Sequence, residues 1–258
     1  MSNFAVAFED PVRELRGPVV QFLAFGAIFL LLNTLVRWAG LTGGTGAAVL
    51  FVLCAVAIFW QSTQQNRAYR LQFEQVAASL GFHAVETWEL RLSTWPLRTS
   101  GRKRNVVGGK LRGLDAWLFD YSISDGDDGF TQTVAAFRVD EANLPIFDLR
   151  PMGLWTGMVN RRSADDEFFE AVSFSVPCPF ELKTSAKEAV ARYFTDELVS
   201  KLARIRDWHC VVQGYHTTVL CFIPGTTIQP QELDSFARKS ADVAYEIFSA
   251  SRHETILI

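Results

Sequence analysis

Four side chains able to hold a metal or act as nucleophile and base fall close together late in the chain: His209, Cys210, His216 and Cys221. Two thiolates and two imidazoles make a tetrahedral zinc set, and a cysteine beside a histidine is a nucleophile beside its base. The spacing opposes both. Trp208–Gln213 and Thr217–Ile223 read as two strands of a hairpin around Gly214-Tyr215. Adjacent residues of a strand point to opposite faces, so His209 and Cys210 diverge and at most three of the four converge. No third group stands in the sequence to orient a Cys–His pair. Core packing is the simpler role for these thiols, and neither metal nor cofactor is expected.

The run Asp125-Gly126-Asp127-Asp128-Gly129 sets carboxylates at the alternate positions a calcium loop uses. Glycine arrives too early, and Ala136 stands where a closing glutamate is required, so a solvated hairpin tip is expected. Gly40–Gly46 and Gly108-Gly109-Lys110 are glycine-rich, but neither leads from a strand into a helix as a phosphate cradle does. The basic run Arg98, Arg102, Lys103, Arg104, with Lys110 and Arg112 nearby, has a partner-level reading. Each cation within about 8 Å of an anionic leaflet contributes about 1 kcal/mol. These four residues are the candidate anionic-lipid contact. The competing reading is a solvated loop, since so few charges sit at the lower edge of a lipid-binding cluster.

The elements that would position these groups begin with an apolar N-terminal region. Between Gly17 and Asn66 the only charged residue is Arg37, and Ala47–Trp60 is apolar at every position. A bilayer core about 30 Å thick takes about 20 such residues as helix, because only a helix satisfies its own backbone in lipid. The expectation is a hairpin of two transmembrane helices, about 18–37 and 42–61, after an N-terminal segment 1–17. Trp38 and Trp60 fall at the two ends of the second span, where indoles prefer to sit. A buried helix of a globular core is the competing reading, since Ala47–Trp60 alone rises only about 21 Å. A cleaved signal peptide is disfavoured by the second run that follows at once. Arg13 and Arg16 before the hairpin, with Arg67 and Arg70 after it, outweigh Arg37 in the loop. That asymmetry places both termini on the cytoplasmic side of a bacterial inner or plasma membrane, in a multi-pass integral membrane protein. Cys178, Cys210 and Cys221 cannot all pair within one domain, which fits a reducing compartment.

The remaining residues, about 190, suffice for one domain with its own core. The formal net charge of −3 belongs to this part, because the charges of the first 61 residues balance. A slightly acidic domain excludes nucleic acid as a general partner. Residues 62–82 are expected to continue as a membrane-proximal helix carrying Tyr69, Phe73, Val76 and Leu80 on one stripe and stopping at Gly81. Residues 83–258 read as a cytosolic α+β domain. Its runs Asn105–Leu111, Leu114–Ser124, Thr131–Val139, Leu144–Leu149 and Phe168–Val176 suggest an antiparallel meander, with a tight turn at Arg112-Gly113. Two C-terminal helices follow. One is opened by a Ser185–Glu188 capping box and runs to Arg206. The other is opened by Pro230, with Leu233, Phe236, Ala237, Ala241, Ala244, Ile247 and Phe248 inward.

An ordered series of motifs runs through the soluble part: Gly101-Arg102-Lys103-Arg104-Asn105, Val107–Gly113, Leu118-Phe119-Asp120-Tyr121, Thr131-Gln132-Thr133-Val134, and Leu144–Pro151. With Phe174, Phe194-Thr195 and the closing helix, it resembles a group of uncharacterised bacterial membrane proteins that have an N-terminal two-helix hairpin and a cytosolic domain of unknown function. The likeness covers roughly Gly101–Phe248. It implies architecture and a bacterial setting and carries over no catalytic or binding residue. The expected function is a membrane-anchored binding or scaffolding module, with the lipid bilayer and a protein partner or second copy as partners. The alternative is an enzyme, such as a hydrolase, working at the cytoplasmic face.

Overall fold

The computed structural model describes residues 34, 44–85, 101–123, 130–152, 170–176, 178–205 and 210–254. The chain divides into two compact units, Met1–Ala68 and Tyr69–Ile258. Helix α1 (Gly44–Ser79) has neither proline nor interior glycine after Gly46, which lets it run uninterrupted. It stops where the sequence indicates. Gly81 takes a positive φ of 80°, its N–H reaches the Ala78 carbonyl at 3.0 Å, and the Phe82 N–H reaches Ala77 at 2.9 Å. This is the two-bond cap that a glycine permits and a Cβ disfavours.

The second unit is built on one nine-stranded sheet. Its strands are β1 (His83–Ala84), β2 (Arg102–Leu111), β3 (Leu114–Ile123), β4 (Phe130–Arg138), β5 (Leu144–Pro151), β6 (Glu170–Val172), β7 (Phe180–Thr184), β8 (Val211–His216) and β9 (Thr218–Phe222). Their order is β1-β2-β3-β4-β9-β8-β5-β7-β6, and every pairing is antiparallel. The α+β class is therefore as expected. β2, β3 and β4 form the expected meander, turned at Arg112 (φ 52°) and Gly113 (φ 79°). The meander does not continue: the β8–β9 hairpin inserts between β4 and β5. Val211, Val212, Val219, Leu220, Cys221 and Phe222 are all buried, and strands apolar on both faces belong at a sheet's centre. That hairpin turns at His216-Thr217 rather than Gly214-Tyr215, because Tyr215 pairs with Thr218 and His216 adopts φ 49°. Gly214 lies within β8 instead, where an added Cβ would run into the Phe147 ring.

The helical part also departs from expectation. The single helix opened at Ser185 is two: α2 (Lys187–Tyr193) and α3 (Asp196–Ala203). The Ser185–Glu188 box does not form. Ala186 occupies the cap position without a side-chain bond, and Thr184 Oγ1 accepts the Ala186 N–H at 2.9 Å. Thr195 caps α3 by accepting from Leu198 N–H, and Asp196 and Glu197 complement the first-turn dipole, so the chain restarts there. The last helix, α4 (Pro230–Glu254), begins at the expected proline and buries every residue assigned to its inner stripe.

The main core lies under these helices. Phe73 and Ala77 of α1, Val190 of α2, Leu202 of α3 and Leu233, Ala241 and Ile247 of α4 join Leu118, Phe137, Leu149 and Val212 of the sheet. The opposite face carries a second cluster of Phe119, Tyr121, Val134, Ala136, Val211, Leu220 and Phe222, also buried. The first leg of the expected membrane hairpin, residues 18–37, lies outside the described residues except for Thr34. Among the described residues no helix is long and apolar enough to cross a membrane. The apolar stretch at the start of α1 rises about 21 Å, short of a bilayer core of about 30 Å.

Candidate functional site

Within α1, Val52, Leu53, Val56, Ile58, Phe59 and Trp60 are exposed, Phe59 at 75%. At about 100° per residue five of these six lie within an arc of about 120° and Ile58 lies across from them, while Cys54, Ala55 and Ala57 fill the rest of the circumference, so the stretch has no polar side. The polar residues that follow are solvated. Thr63 Oγ1 donates back to the Phe59 carbonyl at 2.8 Å, and Arg70 pairs with Glu74 one turn on.

Inside the second unit the densest polar cluster surrounds Asp120 of β3, which is 4% exposed. Strand alternation puts it on the face of Ala116 and Leu118, at a core position. Thr133 Oγ1 of β4 donates to its Oδ1 at 2.7 Å, Asn105 Nδ2 of β2 to its Oδ2 at 2.8 Å, and the Tyr69 hydroxyl of α1 to Oδ1 at 3.3 Å. That hydroxyl is also 3.1 Å from the Ile228 carbonyl, while the Ile228 N–H donates to Thr133 Oγ1 at 2.9 Å. One carboxylate thus ties α1, three strands and the segment before α4 together. Burial pushes its pKa up, against the pull of its three donors and of the Arg104 charge. The Tyr69 hydroxyl is pushed well above its ordinary range, first by burial and then by Asp120. All three donors are neutral, and together they clamp the carboxylate between α1 and the strands.

A second carboxylate, Asp148 of β5, is held differently. Arg150 Nε and Nη2 donate to its two oxygens at 2.7 Å each, and Gln213 Nε2 adds a bond at 2.9 Å. Neither carboxylate was singled out from the sequence. The available signal for Asp120 was parity: a charged residue two positions from Leu118 on an alternating strand.

Of the candidate lipid contacts, Arg98 lies outside the described residues. The other three are on a strand, not a loop. Arg102 pairs in register with Ser122, Lys103 with Tyr121 and Arg104 with Asp120. Arg102 and Arg104 are exposed on one face. Lys103 is half-buried on the other, where burial pulls its ammonium pKa down. Asn105 takes φ 53° at an irregularity between Arg104 and Val107, so the parity resets beyond it. The three cations therefore do not act as one cluster.

The cysteine–histidine group does not assemble either. Cys210 and Cys221 are buried in the helix-covered core, and His216 is exposed at the hairpin turn. His209 and the acidic turn at 125–129 lie outside the described residues. Phe222, on the opposite face from Cys221, is buried as well, since the sheet is covered on both faces. Burial pushes the Cys221 thiol far up, the neighbouring Cys210 adds to this, and its Sγ lies 3.9 Å from the Ser240 carbonyl. A thiol so placed is a packing group. Among the described residues no group of three or more His, Cys, Asp or Glu side chains could hold a metal.

No family model and no curated protein matches the chain. A similar solved structure is the crystal structure of the mycobacterial trehalose monomycolate transport factor A, TtfA. It is 19% identical, with a TM-score of 0.49, over 70% of this chain and 95% of that one. A likeness at that level carries no functional argument.

Proposed function

We propose that the chain is a membrane-anchored binding module: its N-terminal unit is held in a bilayer, and its nine-stranded unit presents a binding surface to the cytoplasm. The supporting observation is the exposed apolar girdle from Val52 to Trp60. A helix apolar on all sides is stable only in an apolar medium. The stretch is too short to cross alone, so the anchoring joins it to the uncharged residues before it, with 18–37 as the other leg of a hairpin whose ends are both cytoplasmic. A protein partner or second copy remains part of this proposal. The hydrolase alternative gains no support, because Asp120 is buried and held by Thr133, Asn105 and Tyr69, and Cys221 and His216 lie apart.

Topology tests the proposal. In intact cells, a cysteine introduced at Thr42 should be labelled by a membrane-impermeant thiol reagent above the background of the native thiols, and one at Asp127 should not. Labelling at Asp127 in intact cells would contradict it.

A further inference from the structure

Five other arginines of the second unit have partners. Arg112 lies on Asp242, Arg138 on Asp140, Arg150 on Asp148 and Arg238 on Asp234, while Arg192 donates to the Glu188 carbonyl. Arg102 and Arg104 differ from those five, as does Arg204 at the end of α3. Among the described residues no hydrogen bond or ion pair holds either guanidinium, although both are exposed. Strand alternation directs them to the same face, two residues apart. Ser122, the register partner of Arg102, lies opposite Thr131, and their hydroxyls are 2.9 Å apart. Two hydroxyls have two protons and this contact uses one, which leaves an O–H to donate outward. Asp120, the register partner of Arg104, feels that arginine's charge but forms no ion pair with it, and its oxygens accept from Thr133, Asn105 and Tyr69. Two guanidinium groups and a hydroxyl donor on one face supply the positive charge and the N–H and O–H donors that a phosphate takes.

We propose that Arg102, Arg104, Ser122 and Thr131 form a docking surface for the phosphate of an anionic phospholipid headgroup. The choice of occupant rests on the anchored-module reading, because a tethered domain meets headgroups at a high effective concentration. Lys103 is not part of the surface: it belongs to the other face of β2, beside Tyr121.

The test uses the full chain in uncharged detergent micelles, titrated with short-chain phosphatidylglycerol, short-chain phosphatidylcholine or inorganic phosphate and followed by phosphorus NMR. Phosphatidylglycerol should bind saturably, and binding should weaken as salt is raised. The double variant Arg102→Ser/Arg104→Ser should lose tenfold or more in affinity with its fold retained, while Lys103→Ser should stay within twofold. Equal binding by the double variant, or an equal loss in Lys103→Ser, would overturn the surface. Inorganic phosphate or phosphatidylcholine binding as tightly as phosphatidylglycerol would overturn the headgroup assignment. Membrane retention is read separately on the same variants, which leave Val52–Trp60 untouched. Loss of retention in the unmodified chain, with arginine-dependent phosphatidylglycerol binding intact, would thus fail the anchor and not the surface.

Discussion

Helix α1 contains two stretches of opposite character. From Val52 to Trp60 its apolar side chains are exposed on all sides; from Tyr69 to Ala77 it buries one stripe, with Phe73 and Ala77 at 0% exposure. Helical geometry is common to both, so the difference lies in what each sequence requires around it. The later stretch alternates core residues with Arg70, Gln72, Glu74 and Gln75, a pattern that suits a helix lying on a protein surface. The earlier one has no polar side at all. Apolar content alone does not say where a helix belongs; the distribution around its axis does.

The contrast can be broken most forcefully at Phe73. Phe73→Ala removes a fully buried ring shared by α1 and the sheet and should cost about 3–5 kcal/mol in denaturant unfolding of the full chain in micelles. Phe59→Ala, the same change in the exposed stretch, should leave that midpoint within about 0.5 kcal/mol. Similar costs at both sites would erase the distinction.

Tyr69→Phe probes the start of the docked stretch. It keeps the ring and deletes the hydroxyl that meets Asp120 and the Ile228 carbonyl, so stability should fall by about 1–2 kcal/mol. A neutral result would mean that the clamp does not fasten α1.

The effect of pH sharpens the same point. Asp120 has a folded pKa above its ordinary value because burial outweighs its donors and Arg104. The folded state therefore holds the proton more tightly than the unfolded chain. The stabilisation is complete below the unfolded pKa of about 3.9 and is lost as pH rises through the elevated folded value. Asp120→Asn should flatten the stability–pH profile of the full chain over that window. A profile unchanged by the substitution would remove Asp120 as its source. The smallest effect is expected at Arg70→Ala, which breaks an exposed pair with Glu74 and should cost about 0.3–0.5 kcal/mol.

Much of the frame was legible because it rests on local rules. Gly81 as a helix stop, Arg112-Gly113 as a tight turn and Pro230 before a seven-residue apolar stripe each need only near neighbours in sequence. What escaped depends on distant residues. β7, Phe180–Thr184, follows two prolines and gains its strand character from pairing with β5 and β6. The place of β8–β9 between β4 and β5 is set by burial on both faces, which periodicity does not reveal. At Thr195 the helical stripe Val190, Phe194, Leu198 reads through as one helix, and only the cap chemistry of Thr195-Asp196-Glu197 marks the break. The basic residues were visible as a cluster, but their division between two faces followed only from the strand that carries them.

Whether the girdle sits in lipid is tested most directly by alkaline carbonate extraction of membranes from cells expressing the full chain. The account predicts that the protein stays in the membrane pellet, and that Val56→Lys with Phe59→Lys shifts it to the soluble fraction while its fold is retained. Release of the unmodified chain by carbonate, or unchanged retention of the doubly charged variant, would contradict it.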